Sequence, residues 1–136
     1  MSKKYESYFR VGKIKDNIAE LVDFNYSGTV YMNNGVLRHI LKKHKSQLSK
    51  KNLYDPLGCI KMVIKQPDYI GVHPSKIGFS IEFVKDIHEN HILVSIEIDN
   101  EEEYIYVSSM YPITDGKFES RIHSERFKNI RNYLKK

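Results

Sequence analysis

Residues 104–127, YIYVSSMYPITDGKFESRIHSERF, gather side chains suited to handling a phosphate. The segment reads as a strand over 104–110 that ends in hydroxyl-bearing side chains. Pro112 breaks it, and a basic helix starts near Thr114 or Asp115. Ser108, Ser109 and Tyr111 then stand at a sheet's rim, with Arg121 and Arg126 on the following helix. Strict alternation puts Ile105, Val107, Ser109 and Tyr111 on one face, and Tyr104, Tyr106 and Ser108 on the other. The hydroxyls of Ser109 and Tyr111 suit a phosphate or a base in a cleft, and equally suit a helix end or the core's margin. Tyr104 and Tyr106 could stack unpaired bases, or be ordinary strand residues. Lys85 ends the face that Ile81 and Phe83 begin, where a lysine either reaches water or holds a phosphate oxygen. Arg121 and Arg126 are five residues apart, so they diverge on a helix and one of them reads as surface charge.

A histidine supplies the remaining chemistry. In GVLRHILKKHKSQL, Leu37, Leu41 and Leu48 form an apolar stripe, and His44 falls on it, three residues after Leu41 and four before Leu48. Its imidazole is expected to face the sheet, either as a hydrogen-bonded core group or as an acid or base near neutral pH. His39 falls on the opposite side, among Arg38, Lys42 and Lys43. The five-residue gap between the two histidines is not that of paired zinc ligands. The chain carries no phosphate-binding glycine loop, nucleophile elbow or cysteine pair. Neither metal nor cofactor is expected. Cys59 is the single cysteine, lies in the apolar run GCIKMVI and reads as a small core residue.

These residues need a scaffold. Residues 1–7 read as a flexible terminus. Strands are expected over 8–14 and 29–32, and helices over 14–24, from Asn33 or Asn34 through Leu48, and from the Asp55-Pro56 start to Pro67. Four strands follow, over 69–72, 78–85, 91–99 and 104–110, the last two joined by an acidic turn at 100–102. A closing helix over 115–133 carries Phe118, Ile122, Phe127 and Ile130. The expected fold class is α+β: N-terminal helices, a four-stranded or larger antiparallel sheet, then a C-terminal helix, in one domain spanning 1–136.

Charge points to a polyanion. The net charge is +5, and no acidic residue occurs from Phe24 to Tyr54, where Arg38, Lys42, Lys43, Lys45, Lys50 and Lys51 stand. A second basic block runs from Lys117 to the C-terminus, and acidic Glu97, Asp99, Glu101, Glu102 and Glu103 lie between the two. Such blocks suit a phosphate backbone, although solvated helix faces would look the same. No run has the length of a membrane span or a signal-peptide core, so a cytoplasmic site of action and no membrane partner are expected.

The order HILKKH, QPDYIG, SIEFVK, YIYVSSMY and RIHSERFK resembles the phage-associated nuclease families of the barnase, EndoU, colicin and RelE group, which share the BECR fold. The resemblance runs from about Thr29 to Ile130. It implies a small, metal-independent ribonuclease, of a kind often deployed as a toxin or effector by phages and mobile elements. Carried over, it puts His39 and His44 of HILKKH in the site with Ser109 and Tyr111 of SSMY and Arg126 of SERF, and less directly Lys85. Ser108-Ser109 stands where the family prefers Ser-Thr, and Glu125 precedes Arg126 where it prefers glycine.

The expected function is therefore endonucleolytic cleavage of RNA by the ribose 2'-hydroxyl, giving a 2',3'-cyclic phosphate. His44, His39, Ser109 and Tyr111 are the catalytic candidates, and Lys85, Arg121, Arg126 and Ser108 the phosphate-binding ones. RNA is the expected partner, and a cognate inhibitor protein is a further candidate. The competing readings are an RNA-binding module of the same fold without catalysis, and a protein-interaction domain that inhibits another factor.

Overall fold

The computed structural model describes residues 8–50 and 55–130, the side chains of 44–50 excepted. Eleven elements alternate along it. β1 (Tyr8–Ile14), α1 (Asp16–Leu21), β2 (Gly28–Asn33), α2 (Asn34–Lys50) and α3 (Pro56–Lys65) come first. β3 (Tyr69–Gly71), β4 (Ser80–Ile87), β5 (Asn90–Asp99), β6 (Tyr104–Ile113), α4 (Asp115–His123) and β7 (Phe127–Asn129) complete the fold. The fold is α+β. The seven strands form one sheet in the order β1-β2-β6-β5-β4-β3-β7.

The sheet differs from the expected meander in two ways. Strands from both ends of the chain take part, and β2 runs parallel to β6, pairing Val30 with Ile105 and Tyr31 with Tyr106. A parallel neighbour needs a long crossover, and here α2, α3 and the intervening strands supply it. The closing helix is also shorter than its apolar spacing suggests. α4 stops at His123, and Phe127, expected on its apolar face, instead opens β7 against Gly71. Pro112 does not end β6, because β2 pairs only as far as Tyr106 and Pro112 lies on an edge where no ladder bond is lost.

Local chemistry explains most boundaries. Asn33 caps α2 by accepting from Val36 N at 2.7 Å, and Asp55 caps α3 by accepting from Gly58 N at 3.0 Å. Thr114 caps α4 through Lys117 N at 3.2 Å. The acidic turn after β5 is held by Asp99, whose Oδ1 accepts from Glu101 N and Glu102 N, both at 3.1 Å.

The two faces of the sheet are unequal. α1, α2 and α3 cover one, burying Ile18, Ile40, Ile60, Val63 and Ile64 against Val30, Ile81, Phe83, Val94, Val107 and Met110. Cys59 is half-buried beside this core, and its thiol is pushed up in pKa by burial and then by the Asp55 carboxylate. It packs against the core as the small residue its sequence context predicts. On the other face, α4 covers only the β3–β7 end, packing Phe118 with Val84, Leu93, Ile113 and Phe127. Among the described residues no helix covers the rest of that face.

Two backbone positions fix where Arg126 sits. Gly71 lets β7 close in, since an added Cβ would stand 2.1 Å from the Arg126 carbonyl oxygen and 2.8 Å from Phe127. Glu125 has φ +65°, just past the end of α4, in the left-handed region where glycine terminates helices. This is the position at which the resembling family prefers glycine. Opposite outcomes are expected at the two sites. Gly71→Ala should lower the denaturant-unfolding free energy by roughly 1–3 kcal/mol through overpacking, whereas Glu125→Gly should raise it by about 1 kcal/mol. Both are read from urea midpoints.

Candidate functional site on the open sheet face

Glu82 lies on β4 between Ile81 and Phe83, which turn to the helical core, so its own side chain enters the other face. There it is buried and met by Arg126, whose Nε donates to Oε1 at 2.8 Å and whose Nη2 donates to Oε2 at 2.7 Å. The side chains are only 6% and 15% exposed, so each ion depends on the other for the solvation it has lost. Nη1 of Arg126 is not part of this pair.

Beside the pair runs a row of serines. Glu82 is registered with Ser95 on β5, and Ser95 with Ser109 on β6. The β6 register then slips, since Ile96 pairs with Val107 and Ser108 is the extra residue of a bulge. Ser108 Oγ lies 3.1 Å from both the carbonyl oxygen and the Oγ of Ser95. A bulge re-aims side chains, and here it overturns the strict alternation expected from sequence. Ile105 and Val107 remain in the helical core, Met110 joins them, and Ser109 and Tyr111 turn to the open face. Three serine hydroxyls thus converge on one side of the Glu82–Arg126 pair.

Arg121, on the last turn of α4, reaches the same neighbourhood. Its guanidinium carbon is 5.6 Å from the centre of the Phe127 ring. Its Nη1 is buried with no hydrogen-bond partner among the described residues. A buried cationic donor without an acceptor costs free energy, which a bound oxyanion would relieve. Arg121 and Arg126 do not share a helix, because α4 ends between them. Arg126 reaches Glu82 from the turn after α4, not from the helix that carries Arg121.

His91 anchors the covered end of this face. Its Nδ1 is 2.5 Å from Asp86 Oδ1, its Nε2 is 3.2 Å from Asp115 Oδ1, and its ring stacks on Phe118 at 3.7 Å and 4°. Its side chain is only 18% exposed. On the opposite side of the face, Tyr8, Tyr31, Tyr104 and Tyr106 form a cluster in which the Tyr104 hydroxyl lies 2.6 Å from that of Tyr8.

The expected site residues divide accordingly. Ser108, Ser109, Tyr111, Arg121 and Arg126 come together on one face. Lys85 does not: it shares the Phe83 face, donates to the Gln66 carbonyl at 2.8 Å and lies 3.9 Å from Asp68, holding the end of α3. His39 is exposed on α2, which buries Ile40 in the core on the face opposite Ser109 and Tyr111. The side chain of His44 lies outside the described residues. Glu82 and Ser95 escaped notice because each stands alone among apolar strand residues. An acid in the run FSIEFV, where both neighbours alternate into the core, was the available signal. Among the described residues, no group of three or more His, Cys, Asp or Glu is placed to hold a metal ion, and no helix is long and apolar enough to cross a membrane.

The pair also makes a stability prediction. Arg126→Ala leaves the Glu82 carboxylate buried and unpaired, and should cost about 3 kcal/mol or more. Replacing both residues by methionine should bring stability back to within about 1 kcal/mol of the parent. Thermal and urea unfolding of the single and double variants measure the difference.

No curated protein and no solved structure gave a significant match. A family model did: that described as phage-Barnase-EndoU-ColicinE5/D-RelE like nuclease3 matches residues 9–120, from β1 into α4, with Arg121 and Arg126 just beyond its end. By that match across most of its length, the chain belongs to this phage-related nuclease family.

Proposed function

We propose that the protein is an endoribonuclease that cleaves RNA without a metal, through attack of a ribose 2'-hydroxyl on the adjacent phosphodiester. The observation that carries the reading is the buried Glu82–Arg126 pair beside three serine hydroxyls and the unpartnered Nη1 of Arg121. Arg121 and Nη1 of Arg126 bind the non-bridging phosphate oxygens and hold the charge that grows on the phosphorane. Ser95, Ser108 and Ser109 orient the ribose and phosphate. Glu82 takes the 2'-hydroxyl proton as the oxygen–phosphorus bond forms. The bond to the 5'-oxygen breaks, and that oxygen leaves with a proton from an acid. The products are a 2',3'-cyclic phosphate and a 5'-hydroxyl, and a strand lacking the 2'-hydroxyl is not cut.

Tyr111, which shares the open face with Glu82 and the serines, is the candidate for the acid, whereas α2, which carries His39 and His44, covers the other face. A pH–rate profile tests the assignment. A phenol acid gives no alkaline limb near pH ~6.5, whereas a histidine acid would. Family membership in a phage-related group also supports an effector role in which the RNA of another cell is the target.

The decisive assay is a labelled single-stranded RNA with EDTA present. Cleavage with a cyclic phosphate end is expected, with none at a 2'-deoxy position. Arg121→Leu keeps packing on Phe127 and removes a buried donor without a partner, so it should fold at least as stably as the parent yet cleave about 100-fold more slowly. Cleavage only on addition of a divalent ion, or full activity in Arg121→Leu, would refute the mechanism.

A further inference from the structure

The tyrosine cluster is not used by the chemistry above, yet it shares the open face with it. Tyr31 and Tyr106 are registered side by side on β2 and β6, and Tyr106 is registered with Glu97 on β5. Glu97 lies two residues from Ser95 along β5, about 7 Å at the usual strand rise. Glu82 lies one strand beyond Ser95, so Tyr106 stands roughly 12 Å from the Glu82–Arg126 pair, about two nucleotides of an extended single strand. Tyr104 is buried beneath the cluster, bonded to Tyr8, while Tyr31 and Tyr106 are half-buried. Tyr8 and Tyr104 therefore brace the rings, and Tyr31 and Tyr106 offer surface. Exposed Arg10 is registered with Tyr31 on the outer edge.

We propose that Tyr31 and Tyr106 form a stacking platform for an unpaired base of a single-stranded nucleic acid, about two nucleotides from the phosphate held at Arg126. The inference rests on the nuclease reading of the open face and adds the substrate class. Two observations favour a base over a second phosphate. Burial, and then the Glu97 and Asp99 carboxylates, push the Tyr106 phenol up, so it stays neutral. Those same carboxylates repel a phosphate from this part of the face, while Arg10 at the edge can take the next one. A base paired in a duplex keeps its faces stacked on its neighbours and cannot use the platform.

The test separates this claim from catalysis. The probes are an octanucleotide with 2'-O-methyl riboses, which binds but cannot be cleaved, its fully abasic counterpart of equal charge, and a duplex of the same sequence. The parent should bind the base-bearing strand at least ~10-fold more tightly than the abasic strand or the duplex. Because the chain has ten tyrosines and no tryptophan, tyrosine emission reports stacking directly. It should fall with the base-bearing strand and not with the abasic one. The double variant Tyr31→Leu/Tyr106→Leu should bind both strands equally, at the abasic level. Equal binding of the two strands by the parent, or a preference retained by the double variant, overturns the platform. Should the double variant fail to fold, the parent's comparison of the probes and its emission still decide. A protein that stacks bases but cuts no RNA would sink the enzymatic reading and leave this one standing.

Discussion

Glu82 and Arg126 are 44 residues apart in sequence and are joined by two parallel hydrogen bonds at the centre of one sheet face. Neither ion is tolerable there alone, since an isolated buried carboxylate or guanidinium loses several kcal/mol of hydration. The fold around them follows from that requirement. β7 must lie against β3 for Arg126 to reach Glu82, Gly71 must lack a side chain for β7 to approach, and α4 must stop at His123 for the chain to turn back. The positive φ at Glu125 is the cost of that turn, borne by a residue ill suited to it. A pair that contributes little net stability therefore specifies how the last third of the chain is arranged.

What could be read from sequence follows from which forces are local. Caps, turns and apolar periodicity act over a few residues, so the starts of α2, α3 and α4 and the spans of β4 and β5 emerge from Asn33, Asp55, Thr114 and the alternation of each strand. The features that were hidden depend on partners distant in sequence. The helical spacing of Phe118, Ile122 and Phe127 is real, but Phe127 gains more by pairing beside Gly71 in β7 than by prolonging α4. The parallel contact of β2 with β6 leaves no mark within either strand. The bulge at Ser108 is the sharpest instance. A single inserted residue reverses every later side chain of β6, exchanging Met110 for Ser109 and Tyr111 between core and open face.

The same slip explains why the candidate site was only half legible. Ser108, Ser109, Tyr111, Arg121 and Arg126 fall on one face of the sheet, but their surroundings were not visible in the sequence. Lys85 sits on the strand that carries Glu82 but three residues on, so it points to the other face and secures α3 instead. The setting of His91 was hidden because its partners come from β4, which carries Asp86, and α4, which carries Asp115 and Phe118. A group held by distant partners cannot be recognised from its neighbours in the chain.

The division of labour between the two faces follows from packing. Three helices on one side bury enough apolar surface to hold the sheet, so the other side is freed from supplying a core except where α4 rests. A pleated sheet fixes side-chain positions more rigidly than a loop, with rows separated by two residues along each strand. Acid, serines, arginines and tyrosines can therefore be set at spacings that match a polynucleotide's repeat, without strain in the backbone that bears them. β6 departs from regular pairing at Ser108, which brings two adjacent hydroxyls to one side. The irregularity lies where the chemistry is proposed, and the regular strands around it hold it in place.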